Sequence, residues 1–533
     1  FQMIMNFQMI FKFILEYLNL QEDIMKKKYL GVLLVFCLLI SSLVGCGNKN
    51  NTSSSNGNKE LTLLYMFKTN NLDPHVDQYY ISLAAGIVET LVKVDKDLSI
   101  KPWLLKSWDT NDSINWTFTL KDNVTFQDGT KLDAEMVKRN IEDVISKNPG
   151  IKKLLDIKSM KAEGQVLKIT TNKENPSLPS EFVHPNTAII NMDAKNQNTD
   201  PIGTGAFKVE KFIPNSSIQL VKNSNYWDGD VKLDKVNFQF NEDANSRIQA
   251  LQSGQADVIY RIPTESIGVL NKNTNVKVMS ESSLRCDEVM YNQDNKILQN
   301  AEVRKGLDSL IDRKEIVNKI MDDNASVTYG PYIKGTPFSI NFTENPYGTK
   351  EALEHFEKAG LKIKDGKVYN KDGNPLKLNV VTYSNRPELP KIAQVIQSKA
   401  KEVGIDMEIS VVENIDQYLN DNNNWDLAVY SIITNPRGDA SYFLNAAYKS
   451  NSISNHGHIN NKKLDSIIDK FNTCSNTTER NELAKDALRI VNDETYSSYI
   501  LFSNLTAAFD SRVSNLTLSQ YEYYVLDKDV DIK

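Results

Sequence analysis

The chain has 533 residues, 40% of them hydrophobic and 24% charged, and 62 Lys and Arg against 68 Asp and Glu give a formal net charge of −6. That mild acidity argues against nucleic acid or phosphate-rich partners. Four cysteines are too few for a disulfide framework at this length.

Residues 1–24 are apolar and fit no targeting pattern; they read as an upstream extension of the true start. Met25 is followed by Lys26-Lys27-Lys28, an apolar run from Tyr29 to Val44, and Gly45-Cys46. A positive segment, an apolar core and a small-residue cleavage site make 25–45 a secretory signal. The run of 16 residues is short for the roughly 20 a membrane span requires. Leu43-Val44-Gly45-Cys46 resembles a bacterial lipobox, which implies a diacylated Cys46 and a membrane anchor on the extracytoplasmic face. Residues 46–59, with Asn48 to Asn58 reading NKNNTSSSNGN, form a polar flexible tether. Removing residues 1–45, with four Lys and three acids, moves the net charge to −7. Cys37 leaves with the signal and Cys46 would be lipidated, so only Cys286 and Cys474 remain; a pairing between them is open, but they are read as two separate buried thiols. The roughly 470 residues that follow are enough for two or three lobes with proper cores.

From Leu61 onward short apolar strands alternate with helices, as in mixed α/β lobes. Strands are expected at Leu61–Met66, Val236–Phe240, Asp257–Tyr260, Leu376–Tyr383, Asp406–Val412 and Asp426–Ser431. Helices are expected at Asp133–Ile145, Asn300–Leu310, Lys314–Met321, Pro387–Val403, Lys462–Phe471 and Thr478–Val491. The helix Pro387–Val403 closes on Gly404 and lies between two strands, which predicts a parallel βαβ crossover. No internal repeat and no long patternless loop is expected.

No G-x-S-x-G elbow, H-E-x-x-H, C-x-x-C or phosphate-binding loop occurs, and the chain has only five histidines. Nothing argues for an enzyme. The most specific stretch is Trp116 to Glu135, WTFTLKDNVTFQDGTKLDAE. It reads as a strand, a second short strand, an Asp128-Gly129 turn and a helix capped by Asp133. Asp200 to Phe207 (DPIGTGAF), Asn223 to Trp227 (NSNYW), Arg247 to Asp257 (RIQALQSGQAD), and Val303-Arg304-Lys305 with Leu310 to Arg313 follow in order. Together they resemble the signatures of the peptide- and nickel-binding family of two-lobed solute-binding proteins of ABC importers.

The resemblance implies an α/β, type II periplasmic-binding-protein fold with an extra subdomain in the first lobe. Lobe I would take 60–280 plus 497–533 and lobe II 281–496, with two crossings acting as the hinge. Ligand would bind in the cleft by lobe closure. The loop from Asn70 to Tyr80 resembles the L-N-P-H segment of nickel binders, and Tyr79 and Tyr80 are candidates to line the cleft. The family's peptide binders place an amine-anchoring Asp where this chain has Pro436, followed by Arg437. A guanidinium cannot anchor an ammonium group but clamps carboxylates, so the swap favours a carboxylate-bearing ligand. Arg437 also has a plain reading as an ion-pair partner of Asp439 or another acid. Arg285 is a second clamp or a hinge salt bridge, and Asp439 stands in the same candidate loop. Asn455-His456-Gly457-His458, if extended, puts both imidazoles on one side and within reach of one nickel or zinc ion; the plain reading is a surface loop. The two chelate-holding arginines of well-known nickel binders fall at about Glu142 and within 183–190, neither of which supplies one. Trp103 and Trp108 read as packing.

The expected function is capture of a nickel or other divalent-metal chelate by a monomeric, lipid-anchored binding protein for the importer's permease. Oligopeptide binding is the alternative, and a receptor or sensor that lost transport is a third possibility.

Overall fold

In the strand Glu60–Tyr65, Leu61 and Leu63 point into the core while Glu60 faces water, the alternation that a half-buried strand requires. This computed structural model describes residues 58–533. The upstream extension, the signal, Cys46 and nearly all of the tether lie outside that range. Among the described residues no helix is long and apolar enough to cross a membrane.

Glu60–Tyr65 pairs in parallel with Lys235–Phe240 and with Val258–Tyr260. Farther along the chain, Lys377–Tyr383 pairs in parallel with both Asp406–Val412 and Leu427–Ile433. The helix Glu388–Glu402 joins the first two of these, and Gly404, at φ +79°, ends it as expected. Two long antiparallel strands, Val276–Tyr291 and Ser497–Asp510, run from one group to the other and fuse them into one eleven-stranded sheet. Between them the ladder slips twice: Ser283, Leu284 and Arg285 stand opposite Ser503 alone, and Ile500 is passed over between the pairs Asp287–Leu501 and Glu288–Tyr499.

The cores divide on either side of the first slip. One is built on Leu61, Leu63, Val236 and Phe238 and completed from the C-terminal segment by Phe509, Leu526 and Ile532. The other gathers Val289, Leu307, Phe356, Ile392, Trp425 and Ile500. A third core, with Phe118, Phe126, Val137 and Ile141, lies beneath a separate four-stranded sheet. This is the extra subdomain, and Asp133 caps its helix Ala134–Lys147, accepting from the Met136 amide at 2.8 Å. The architecture is a type II periplasmic-binding-protein fold.

Three local expectations are corrected. The second short strand of the Trp116–Glu135 motif is only a single bridge between Thr125 and Lys131. The helix expected at Lys314–Met321 is one α-turn, Arg313–Glu315, running into a wide π-turn, Ile316–Ile320. Residues 328–348 form a long loop without strand or helix, because Pro331, Pro337 and Pro346 remove donors and fix φ. Buried Tyr332 and Phe338 pin the loop to Phe443 and Tyr448. Cys286 and Cys474 are both free, the first buried and the second partly exposed.

Candidate functional site

Ligands of open α/β sheets sit beyond the carboxyl ends of the parallel strands. Here both sets of parallel strands send such ends to one place. From the first lobe come the loop after Tyr65, ending at Tyr80, and Arg261 after Tyr260; from the second come Arg386 after Tyr383 and Pro436-Arg437 after Ile433. Beside these ends lies a cavity of about 260 Å³, lined by Tyr80, His184, Arg285, Tyr430, Arg437 and Tyr523 among others, though by neither Arg261 nor Arg386. A larger cavity, about 620 Å³, is lined from the first lobe and the C-terminal segment without any loop of the second lobe. The smaller one, walled from both sides, is the ligand candidate.

Tyr80 owes its place to the loop before it. His75 is fully buried, with Nδ1 2.6 Å from Asp143 Oδ2 and Nε2 3.1 Å from the Ala188 carbonyl. Asp77 accepts from the amides of Tyr79 and Ile81. This holds Tyr80 at φ +58°, its ring edge-on to His184 and Tyr523. Tyr79 turns outward, half exposed, and stacks on Phe67 at 5.1 Å. Asp73, His75 and Asp143 form a set able to hold a cation, but the Lys147 ammonium already lies 2.8 and 2.7 Å from the two carboxylates.

His184 was not foreseen. Its Nδ1 accepts the Asn186 amide at 3.1 Å, which assigns the ring proton to Nε2. Burial, and then the Arg437 charge, push its pKa down to about 3, so the ring is neutral at any working pH. It therefore presents an N–H donor to the cavity.

Arg437 donates from Nη1 to Glu181 Oε2 at 2.6 Å and lies 4.9 Å over the Tyr442 ring. Burial lifts the Glu181 carboxyl to about 7 despite that guanidinium. Asp439 does not line the cavity. It accepts from the Ser177 hydroxyl and from Arg480 Nη2, and its other oxygen caps Ser441. Arg285 grips Glu522 with two bonds of 3.2 Å, and Arg261 bonds the same carboxylate. Burial disfavours the Glu522 charge, yet Arg261, Arg285 and Arg386 together hold its carboxyl far below the usual range.

The expectation of an extended His456–His458 segment does not hold. His458 is left-handed at φ +54°, and its Nδ1 is 2.6 Å from Asp294 Oδ2. His456 turns instead toward Asp416, Nε2 to Oδ1 3.7 Å, and its ring lies beside Tyr430 at the cavity wall. The two imidazoles thus serve different carboxylates. Among the described residues, His456 Nδ1 is buried without a hydrogen-bond partner.

Arg386 was also unforeseen, although its place after the carboxyl end of Lys377–Tyr383 is a signal that strand-end reasoning could have used. Chemically the site is a small aromatic chamber with guanidiniums and a neutral imidazole N–H on its walls, suited to an anionic, carboxylate-bearing molecule.

Residues 99–455 match the family model for "Bacterial extracellular solute-binding proteins, family 5 Middle". The nickel-binding protein NikA of Staphylococcus aureus is 34% identical over 504 residues, covering 94% of this chain and 99% of that protein. A crystal structure of a nickel ABC transporter protein from Bacillus halodurans superposes with a TM-score of 0.80 at 40% identity, over 89% of this chain and all of that one. S. aureus NikA in complex with Ni(L-His)2 superposes with a TM-score of 0.76 at 34% identity and the same coverage. The chain belongs to the family 5 bacterial extracellular solute-binding proteins, which bind substrates for ABC importers.

Proposed function

We propose that this protein captures nickel, or a related divalent metal, as an organic chelate in the cleft between its lobes and delivers it to the importer's permease. The observation that carries this reading is the small size and the charge of the chamber. At about 260 Å³ it suits one small chelate rather than an extended oligopeptide, and its charged groups are guanidiniums suited to carboxylates. Nickel-binding relatives at 34 and 40% identity support the choice of metal. Arg437 and the His184 N–H would hold the chelator's carboxylates, with Tyr80 and Tyr523 packing on its apolar parts. His456, with its unpartnered Nδ1 at the margin, is the side chain offered for direct ligation. The cargo metal is substrate and not a resident cofactor. We further propose attachment to the membrane through a lipidated Cys46 and action as a monomer.

Native mass spectrometry of the protein purified from its own host tests the cargo. A bound mass with a nickel or zinc isotope pattern plus an organic remainder is expected. A ladder of peptide masses would replace this reading with oligopeptide binding.

A further inference from the structure

The larger cavity, about 620 Å³, takes no part in the chelate reading, yet it has the parts of a small-molecule site. Its floor is apolar and buried, with Leu83, Val88, Ala206 and Leu526. Trp103, Tyr226, Tyr521 and Tyr524 line its walls, and the Trp103 and Tyr524 rings meet edge to face at 5.7 Å. No residue from 282 to 516 lines it, so the second lobe contributes nothing to these walls.

Two polar groups of the lining are left without partners. The Tyr521 hydroxyl and the Gln520 side-chain oxygen are buried, and among the described residues neither has a hydrogen-bond partner. Tyr521 as a whole is only 2% exposed. A buried polar atom without a partner costs free energy until something bonds it. The amide oxygen can only accept and the hydroxyl oxygen can also accept, so a molecule carrying N–H donors would satisfy both.

The charges around the cavity fix the sign of that molecule. Asp95, Asp228, Glu281 and Asp527 line it, and among the described residues none of the four makes an ion pair. Of its lysines, Lys528 pairs with Asp529, which leaves Lys93 and Lys96. Two negative charges are therefore unmatched. Glu89 also lies there, but burial raises its carboxyl to about 7, so it is only part-ionised and stays out of this count. Lys93 holds its ammonium 5.4 Å from the centre of the Trp103 ring, so that ring already receives a cation.

We propose that this cavity is a second ligand site, for an organic cation with two or more ammonium groups joined by an apolar chain. The ammonium groups would sit against the acids, the Gln520 oxygen and the Tyr521 hydroxyl, and the chain would lie over the rings of Trp103 and Tyr524. The site is separate from the chelate chamber and stands whether or not the chelate reading does.

The test is calorimetric titration of the full chain with cadaverine and spermidine, with pentanediol and magnesium as controls. Both amines are expected to bind, and both controls to bind about tenfold more weakly or not at all. Tyr521→Phe removes a hydroxyl that bonds nothing in the protein, so its melting temperature should be unchanged or higher while amine binding weakens by about tenfold. Glu281→Gln, at an exposed position, should weaken amine binding without affecting the fold. Prior saturation with nickel and L-histidine should leave amine binding in place. Magnesium binding as tightly as the amines would reduce the acids to a diffuse negative surface and overturn the proposal. It would equally be overturned by amine binding that both variants leave intact, by amines displaced from the protein by the nickel complex, or by no amine binding at all.

Discussion

Arg437 and Glu181 come from opposite lobes and meet at 2.6 Å in a buried ion pair at the chamber wall. Four residues before Glu181, Ser177 bonds Asp439 and Arg480 of the other lobe. Closure is therefore stitched by the protein's own groups, and a ligand carboxylate at Arg437 must share that guanidinium with Glu181.

Replacing Arg437 by Ala strands Glu181 and should disfavour the closed form by about 3 kcal/mol, at the low end for breaking a buried pair because Glu181 can take up a proton. Small-angle scattering should show a larger radius of gyration, and chelate binding should vanish. Adding Glu181→Gln should restore the compact form but not the binding. Restored binding in the double variant would remove Arg437 from the ligand's shell.

Glu89 gives a pH test. It is buried and accepts from Tyr226, Thr204 and Trp227, yet burial still raises its carboxyl to about 7 from an ordinary 4.5. The folded state thus holds this proton more tightly than the unfolded one. Its stabilising contribution is complete below pH 4.5 and is lost as pH rises through 7, on the order of 3 kcal/mol in all. Melting curves between pH 5 and 8 should fall less steeply for Glu89→Gln than for wild type. Parallel curves would show that Glu89 is ionised throughout.

Gly203 is held where no side chain fits. A Cβ there would come within 2.1 Å of the Ile87 carbonyl oxygen, which is backbone and cannot swing away. Gly203→Ala should cost on the order of 2–3 kcal/mol, seen as a lower denaturant midpoint. An unchanged midpoint would mean that the two segments separate freely.

Among the histidines, His184→Ala should weaken nickel-chelate binding at least tenfold, whereas His458→Ala, which removes contacts to Asp294 and Trp425 away from the chamber, should not. Isothermal titration with nickel and L-histidine separates the two. Equal losses would place His458 in the cleft.

Much of the frame was legible because local rules and tertiary context agree. Asp133 caps its helix, Gly404 ends another, and strand limits such as Asp406–Val412 match the observed ones. The site was harder to read. Arg437 was found by its odd position in a family motif, but its partner Glu181 is 256 residues away in sequence and no local pattern links them. His184 and Arg386 lie in irregular segments whose meaning comes only from what folds against them. His456 and His458 misled because the extended geometry assumed for them ignored the left-handed turn at His458.

The two long strands that join the lobes are also core strands. Cys286 to Tyr291 are all buried, and so are Tyr499 to Phe502. Opening is most easily taken up where the ladder is interrupted, at the three residues that face Ser503 and at the nearby skip over Ile500, because the regular stretches lock the backbone. The body is mechanically two stiff plates joined along a narrow folding zone, unlike two beads on a string. Such a device has one path of motion, so an arriving cargo always meets the same two walls in the same alignment. Selectivity can then be changed by altering the loops at the strand ends while the moving part stays the same.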